Sequence, residues 1–434
     1  MHAVCPCHAI AAPAPESTLA EALESWMPVP PGARDQRRWW TLPRLVHTLV
    51  LVAWGKGSEG LLDRFVAARG CWPGAETALT YQGFVKAWRR VGLSPLYAAA
   101  ARLRTALEAS AGGAWRVGGW VALAADGSRF ELPRTAGHLR VFGASGKKRS
   151  GPQLWVTTLW HLGLGLPWAW RVGRADSSER GHLRGMLGQA PPGCLLVLDA
   201  GFTGYELLAA ILASGRHALV RVGRSVELLR DLGYAEQAGG GRVHLWPAYA
   251  QRHGQPPLTL RLIRLRLGGD RRKKMYLLTS VLDAGALSDA SAGELYRRRW
   301  GVELMYRCLK QTLEAKKLRA RSPVAALLEI QGLMLGLTLL GAQARRAVAA
   351  AGDAPDRLSP AVAFRVVRQG LRRPEGPRAW GTELAKALRD DYARRRKTRV
   401  SWPRKKRADR PPGRPRLRHA RRGELEAAAR LAAA

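Results

Sequence analysis

The chain has 434 residues, enough for two or three domains and a sizeable hydrophobic core. Apolar residues make up 47% of it, which excludes a mainly disordered protein. The 71 Lys and Arg residues exceed the 33 Asp and Glu residues by 38, and this excess indicates DNA or RNA as a partner rather than an acidic membrane surface or a ribosomal neighbour.

The first quarter of the chain is predicted to be a tail followed by helices. Residues 1–34 are rich in Ala and Pro, lack the basic flank and apolar core of a signal peptide, and are expected to be flexible. In residues 35–116, the segments "TLPRLVHTLVLVAWG" and "LYAAAARLRTALEASAGG" carry apolar residues at helical spacing. We predict a small all-α domain there, which is a candidate for DNA binding.

The pattern changes to strands at residue 117. "GGWVALAADGSRFELPR" predicts one strand, and residues 152–173 predict two strands with a turn between them. "CLLVLDAGFTGYELLAAILASG" predicts a buried strand, a glycine turn and a helix. Residues 117–225 are therefore expected to form the first part of an α/β core, and 226–290 a β-rich insertion.

Helices resume at about residue 290. Residues 291–345 are expected to complete the core, and 346–393 to form C-terminal helices. The most apolar window, 325–342, contains a Glu and a Gln, which favours a buried helix over a membrane span.

Residues 394–434 are expected to form a basic and largely disordered tail. Between residues 394 and 422 there are fifteen Lys or Arg residues and one Asp. "PPGRPR" in this tail resembles the core of an AT-hook, so Arg414 and Arg416 are candidates for contacts in a DNA minor groove. The alternative is a basic tail that only aids solubility.

Two aspartates follow apolar strand patterns. Asp126 ends the run "VALAA", and Asp199 ends the run "CLLVL". Small residues follow both, which allows a ligand to approach, and ligands gather at strand ends in open α/β sheets. Each Asp also has a structural alternative, because "ADGS" is a turn sequence and Asp199 is placed to cap the next helix.

A third acid, Glu303, lies in "YRRRWGVELMYRCLK", residues 296–310. On an ideal helix, Tyr296, Arg299, Glu303 and Lys310 fall within an arc of about 60° and form one polar stripe. The structural alternative for Glu303 is an ion pair with an arginine four residues away. The residues on the other side of the helix, which are predicted to pack, are Val302, Met305 and Leu309.

Together the three acids favour phosphodiester chemistry. Three carboxylates can hold two Mg²⁺ ions, which prefer oxygen ligands. Such a pair of ions activates an attacking water or hydroxyl and stabilises the leaving oxygen. Tyr296, Arg299 and Lys310 would hold phosphates of the same DNA strand.

These motifs resemble those of cut-and-paste bacterial transposases of the insertion-sequence-four family. Residues 296–310 match its Y-(2)-R-(3)-E-(6)-K signature at every interval, and "AADGSRFELP" and "LVLDAGFTGYELL" resemble its two aspartate motifs. The resemblance covers roughly residues 117–345. It implies an RNase H-like fold in which Asp126, Asp199 and Glu303 are the catalytic, metal-binding DDE triad.

The same resemblance implies further properties of the protein. The cofactor would be Mg²⁺, for which Mn²⁺ can substitute, and the partner would be DNA, bound by a homodimer at terminal inverted repeats. The reaction would be hydrolysis at the 3′ ends of the element followed by strand transfer. The two alternatives are a non-catalytic DNA-binding protein derived from a transposase and a metal-dependent, structure-specific nuclease.

Other residues are weaker candidates for DNA contacts. In several relatives a Trp of the insertion holds a flipped base, and Trp246 in "VHLWPAY" is the candidate here, with packing as its alternative. Lys147, Lys148 and Arg149 lie in the basic loop "GASGKKRSG", which could bind phosphates or be an ordinary exposed loop. Glu179, with Asp176, is interpreted as an acid at the start of a helix rather than a ligand.

The five cysteines are scattered and predict no disulfide framework, which favours a reducing compartment. Together with the resemblance, this predicts a bacterial cytoplasmic protein that associates with the nucleoid and has no membrane partner.

Overall fold

The structure, a computed structural model, describes residues 19–29, 39–72, 79–144, 151–234, 241–267, 270–372, 380–388 and 413–433. The described strands form a single mixed sheet of ten strands. The strands are β1 (Ala122–Glu131), β2 (Gln153–His161), β3 (Leu166–Arg174), β4 (Leu195–Leu198), β5 (His217–Val222), β6 (Glu227–Arg230), β7 (Arg242–Leu245), β8 (Leu258–Leu267), β9 (Asp270–Thr279) and β10 (Arg416–His419).

Helices precede, interrupt and follow these strands. Those of the described residues are α1 (Leu19–Trp26), α2 (Leu42–Trp54), α3 (Leu61–Arg69), α4 (Tyr81–Val91), α5 (Ser94–Ala109), α6 (Ala136–Phe142), α7 (Glu179–Met186), α8 (Tyr205–Ala213), α9 (Ala248–Arg252), α10 (Asp289–Arg298), α11 (Trp300–Arg307), α12 (Pro323–Ala350), α13 (Pro360–Arg372), α14 (Trp380–Ala385) and α15 (Arg422–Ala433).

The strand order across the sheet is β10-β6-β7-β8-β9-β5-β4-β1-β2-β3. Strands β1, β2 and β3 form an antiparallel meander, while β4 and β5 run parallel to β1. This five-stranded part is the mixed core of an RNase H-like fold, so the predicted fold class is confirmed. Strands β6 to β9 follow β5 along the chain and precede α10. Strand β9 pairs antiparallel with β5, so the predicted β-rich insertion extends the same sheet.

Helices pack on both faces of the core sheet. The neighbouring residues Thr157 and Thr158 on β2 point to opposite faces, as alternation along a strand requires. Thr157 lies 2.9 Å from the ring of His182 on α7, whereas Thr158 lies 3.0 Å from the hydroxyl of Tyr306 on α11. The face that carries α11 is therefore opposite the face that carries α7.

Helix α12 is the central helix of the α11 face. Ser322 caps its N-terminus, and Pro323 occupies its first turn. By length and composition alone it could cross a membrane, but 78% of its most apolar window is buried inside the protein, which confirms the predicted buried helix. Helix α2 packs closely against α12, and the indole of Trp54 on α2 donates a hydrogen bond to the carbonyl oxygen of Gly336 at 3.0 Å.

The acid inside this apolar helix holds the segment of chain between α11 and α12. The carboxylate of Glu329, which is 8% exposed, accepts hydrogen bonds from the backbone N–H groups of Arg319 and Ala320. The guanidinium of Arg64 on α3 lies 3.9 Å from it. Glu329 therefore ties α3 and the segment between α11 and α12 to the core.

We expect Glu329→Ala to lower the free energy of unfolding by about 3–5 kcal/mol, because it leaves two backbone N–H groups without their acceptor and removes the negative charge beside the buried guanidinium of Arg64. Glu329→Gln keeps an acceptor oxygen and is expected to lose less. Urea denaturation measures both values. Equal stability of Glu329→Ala and wild type would contradict this account.

Two segments that were expected to be flexible contain regular structure. Helix α1 lies within residues 1–34 because Leu23 and Trp26 bury one side of it, at 0% and 3% exposure. In the C-terminal tail, β10 pairs in parallel with β6, and α15 follows. Arg418 holds this end by donating to Glu227 and, through two nitrogens, to Glu424. The positive charge that suggested disorder is thus partly neutralised by specific carboxylates.

Candidate active site

Asp126 and Asp199 belong to neighbouring parallel elements of the sheet. Ala122, on β1, pairs with Leu195, on β4, and this register continues to Ala124 and Val197. These pairs are offset by 73 residues, the interval between the two aspartates, so the same register places Asp126 beside Asp199, which directly follows β4. The predicted strand end at Asp126 is wrong, because β1 continues to Glu131 and Asp126 pairs with Thr158 in the middle of the strand.

The pKa values of the two carboxyl groups are shifted in opposite directions. The pKa of Asp126 is raised to about 6, mainly by burial and in smaller part by the charges of Glu303 and Asp199, which the N–H of Gly127 and the charge of Arg299 oppose. Burial also acts to raise the pKa of Asp199, but the N–H of Ala200 and the hydroxyl of Tyr296 outweigh it, so this pKa lies below its usual value. Carboxylates that lie close together repel each other, and a bound cation would reduce this repulsion.

Tyr306 positions the helix that carries Glu303. Its hydroxyl is buried and lies 3.1 Å from the carbonyl oxygen of Asp126, 2.8 Å from that of Val156 and 3.0 Å from Oγ1 of Thr158. Since Glu303 precedes Tyr306 by three residues on α11, the two side chains lie on neighbouring parts of one helix face. The hydroxyl therefore fixes the distance between Glu303 and the strand of Asp126.

The predicted continuous helix over residues 296–310 is wrong. Arg299 separates α10 from α11, and α11 ends in a single π-helical turn, Cys308–Thr312, closed by the bond from the N–H of Leu313 to the carbonyl oxygen of Cys308. A π turn holds one extra residue, so it rotates the chain relative to an ideal helix. The ideal-helix stripe therefore does not describe the position of Lys310.

The buried side of the helix was predicted correctly. Val302, Met305 and Leu309 are 0%, 3% and 0% exposed and pack into the core. Leu309 is the buried residue of the π turn, so the apolar packing of this side of the helix continues into the turn.

All four signature residues contact β1, the residue after β4, or each other. The hydroxyl of Tyr296 donates to Oδ1 of Asp199 at 2.8 Å. Arg299 donates to Oε1 of Glu303 at 2.8 Å, and its guanidinium carbon lies 5.5 Å from the Tyr296 ring centre. The ammonium of Lys310 donates to Oγ of Ser128, two residues beyond Asp126 on β1, at 2.6 Å. The structure thus brings the two aspartates and the signature together.

Glu303 forms the ion pair that was its structural alternative. Arg299 is 7% exposed, and its Nε atom has no hydrogen-bond partner among the described residues. Among the described residues, no three Asp, Glu, His or Cys side chains are grouped closely enough to hold a metal ion. The donors fit Mg²⁺ in chemistry, since all are carboxylates, but Glu303 has to leave Arg299 to join the two aspartates.

Glu179, on the α7 face of the sheet, feels the charges of the two aspartates, although its sequence context indicated only a helix start. It does begin α7, behind the cap Ser178. Burial raises its pKa, and the charges of Asp126 and Asp199 add to the increase. A Cβ atom on Gly127 would lie 2.6 Å from Oε1 of Glu179, so the glycine after Asp126 leaves space for this carboxylate. In the sequence, the residue that pointed to a close approach beside Asp126 was therefore Gly127 rather than Glu179.

The remaining predicted DNA contacts lie elsewhere. Lys147, Lys148 and Arg149 are outside the described residues. Trp246 is 3% exposed, and its indole donates to the carbonyl oxygen of Gln255 at 2.7 Å, which favours the packing interpretation.

The arginines of the AT-hook-like sequence are far from the aspartates. Arg414 and Arg416 are exposed, and Arg416 begins β10, at the opposite end of the sheet from β3. Six strand spacings separate β10 from β4, which is about 29 Å. These arginines therefore do not belong to the cluster around Asp126.

We expect Asp126→Asn to stabilise the metal-free protein. Because the folded chain raises this pKa from 3.8 to about 6, ionisation of Asp126 costs stability as pH rises through that window, and the full cost applies above it. The variant should gain about 1–3 kcal/mol at pH 7.5 and little at pH 4. Urea denaturation with a chelator present measures both values. Asp63→Asn, at an exposed acid on α3, is the control, and no gain at pH 7.5 would contradict the expectation.

Comparison with known proteins gives three results. Residues 121–339, just over half of the chain, match the family described as the transposase DDE domain. Over 235 residues the chain is 29% identical to the transposase InsG for insertion sequence element IS4 of Escherichia coli (strain K12), a match that covers 51% of this chain and 52% of that protein. The chain thus spans about half the length of this curated relative. A cryo-EM structure of the piggyBac transposase synaptic complex with hairpin DNA aligns with a TM-score of 0.39 and 12% identity, over 80% of this chain and 75% of that chain.

Proposed function

This chain belongs to the DDE transposase family, and from that premise we propose that it is the transposase of an insertion sequence. It would cut the ends of its element by metal-dependent hydrolysis and join them to target DNA by strand transfer. The family resemblance inferred from the three sequence motifs is confirmed by the match to residues 121–339. The assignment of individual residues to steps of the reaction is our proposal.

One observation carries the proposal: the register of β1 and β4 sets Asp126 opposite Asp199, and Tyr306 holds the helix of Glu303 against the same strand. Two acids that are 73 residues apart in the sequence therefore lie side by side, and the helix of the third is anchored next to them. An arrangement that served only turns and helix caps would not require this convergence.

Asp126, Asp199 and Glu303 are the residues that would hold Mg²⁺, with Mn²⁺ as a substitute. The metal ions would supply charge stabilisation for the phosphate and activation of a water or hydroxyl nucleophile. Asp199 is ready to act as a ligand near neutral pH because its pKa is low. Asp126, whose pKa is about 6, gains its charge just below neutral pH.

Arg299, Tyr296 and Lys310 would exchange their present acceptors for DNA phosphates. Arg299 now neutralises Glu303, and its buried Nε atom has no partner in the described part of the chain. A phosphate oxygen is a stronger match for a guanidinium fork than a single carboxylate oxygen. Binding of DNA would therefore release Glu303 to its metal-binding role.

The proposed partners follow from the charge and the family. The excess of 38 positive charges fits terminal inverted repeats and target DNA as ligands. A homodimer would hold the two ends of one element, and the protein would work in the bacterial cytoplasm at the nucleoid.

The test uses a DNA substrate that carries the ends of the element from which the gene comes. With Mg²⁺, we expect strand cleavage at those ends and joining of the freed 3′ ends to a second DNA. Binding without cleavage would instead identify a non-catalytic DNA-binding protein, and cleavage without joining a structure-specific nuclease. Either result would overturn the proposal.

A further inference from the structure

Helix α4 carries a basic face that is separate from the acidic cluster. The exposed side chains of this helix are Gln82, Lys86, Arg89 and Arg90, and its sequence contains no acid. At about 100° per residue, Gln82, Lys86 and Arg89 lie within an arc of about 60°, and Arg90 extends this arc to about 100°. We call these four side chains the α4 face.

The opposite side of α4 fixes the helix to the rest of the chain. Phe84 and Trp88 are 4% and 0% exposed, and the ring of Phe84 lies 5.4 Å from that of Phe65 on α3. Thr80 caps the N-terminus by accepting a hydrogen bond from the N–H of Gly83 at 3.0 Å. Because one side is packed and the first turn is capped, the α4 face has a fixed direction.

The same packing connects α4 to the strand of Asp126. Trp88 of α4 and Leu328 of α12 line one cleft. The segment just before α12 is bound to β1, since the N–H of Leu318 donates to the carbonyl oxygen of Glu131 at 2.9 Å. Glu131 follows Asp126 by five residues on β1, which is about 17 Å. A ligand bound to α4 would therefore hold a defined position relative to the acidic cluster.

The α4 face has no partner in the described part of the chain. None of its four side chains makes a hydrogen bond or an ion pair with another described residue. The arginines of α10 differ, since Arg298 pairs with Glu294 on its own helix. Lys86 lies three and four residues before Arg89 and Arg90, and like charges at these spacings destabilise a helix. A polyanion bound to this face would reduce that repulsion.

The dimensions and the chemistry of this face fit the major groove of duplex DNA. An α-helix with its side chains is about 10–12 Å wide, and the groove is about 12 Å wide. Glutamine recognises adenine in this groove, and cationic side chains recognise guanine. None of the three aromatic residues of α4, which are Tyr81, Phe84 and Trp88, is exposed. The face therefore lacks the stacking surface that favours single strands.

We propose that α4 lies in the major groove at the end of the element, where Gln82, Lys86 and Arg89 contact base edges and Arg90 contacts a backbone phosphate. Base contacts select the sequence, whereas the phosphate contact positions the duplex. The helix would thus recognise the DNA end that the acidic site cuts. The proposal rests on the proposed function, because it takes the end of an insertion sequence as the ligand.

The test compares binding to two fluorescent duplexes of equal length, one with the end sequence of the element and one with the same bases in scrambled order. The ratio of the two affinities measures sequence recognition. Gln82→Ala should lower this ratio about tenfold or more, because a bidentate contact distinguishes bases by such a factor. Arg90→Ala should weaken binding to both duplexes equally and make the slope of log affinity against log salt concentration shallower by about 1.

Gln189→Ala is the matched control, because Gln189 is also exposed but follows α7, which packs on the face of the sheet opposite α12. Its affinity ratio should equal that of the wild type, and thermal melting should show that all variants are folded. An unchanged ratio for Gln82→Ala would overturn the proposal, as would a wild type that binds both duplexes equally. Loss of binding to polyglutamate in Arg89→Ala/Arg90→Ala, with DNA binding unchanged, would also overturn it, since the face would then bind an acidic protein.

The two proposals fail separately. If Gln82→Ala loses the preference for the element end but the wild type cleaves no DNA, recognition by α4 stands and the transposase function falls. If the wild type cleaves and joins element ends but Gln82→Ala keeps the wild-type ratio, the function stands and the α4 proposal falls.

Discussion

Glu303→Gln is expected to reduce cleavage of element ends by about a thousandfold or more while leaving DNA affinity within about threefold of wild type. The amide keeps the shape of the side chain and can still accept a hydrogen bond from Arg299. It lacks the negative charge with which Glu303 would complete the metal site beside Asp126 and Asp199. Cleavage and filter binding on the same DNA substrate measure the two effects.

A matched control for this variant lies on the preceding helix. Glu294 is also an acid paired with arginines, Arg297 and Arg298, but these pairs are exposed and lie outside the acidic cluster. Glu294→Gln should therefore cleave like the wild type. If Glu303→Gln cleaved DNA as well as the wild type, Glu303 would serve only as the ion-pair partner of Arg299, and its assignment to the DDE triad would be wrong.

Tyr306→Phe is expected to have the second largest effect on cleavage, a loss of about 10–100-fold. Only the hydroxyl is removed, so the ring still fills the core, but α11 loses its contact with the carbonyl oxygen of Asp126. A displacement of about 1 Å between catalytic groups can cost a hundredfold in rate. The unmatched buried acceptors should also lower the free energy of unfolding by about 1–2 kcal/mol.

Tyr205→Phe separates these two effects. Its hydroxyl is also buried and donates to the carbonyl oxygen of Pro256 at 2.6 Å, away from the acidic cluster. The two variants should lose similar stability, but only Tyr306→Phe should lose cleavage and affinity for Mn²⁺. Equal cleavage by both would show that the Tyr306 hydroxyl serves stability alone.

The two interpretations of Glu303 that the sequence left open are compatible in the structure. Arg299 lies four residues from Glu303, so helical spacing alone predicts their ion pair. The same Arg299 belongs to the signature through which DNA phosphates would be bound. Arg299 would then pair with Glu303 in the absence of DNA and with a phosphate in its presence. In that case, variants of Arg299 would alter metal affinity in the absence of DNA.

Local features account for what was predicted well. Alternating and continuous apolar runs identified β1 to β4, because burial on a sheet requires them. The Glu and Gln in the apolar window indicated a buried helix, and Glu329 does bind backbone N–H groups there. The two aspartates were recognised because each follows an apolar run, although β1 continues beyond Asp126.

Features that depend on distant residues were missed. Strand β10 is basic and Pro-flanked, and it pairs only because β6 offers an edge and Glu227 and Glu424 accept Arg418. The helical spacing of apolar residues also did not predict the break at Arg299 or the π turn at Cys308–Thr312, since this spacing tolerates one extra residue.

The sequence by itself determined the family, the two aspartates and the residues of the glutamate signature, because those depend on residue type and spacing. Only the tertiary structure decided that the interval of 73 residues equals a strand register, that β1 continues beyond Asp126, and that Tyr306 anchors α11 to β1. The physical reason is that hydrogen bonds and charge repulsion act across space, between groups whose separation along the chain carries no sign of their contact.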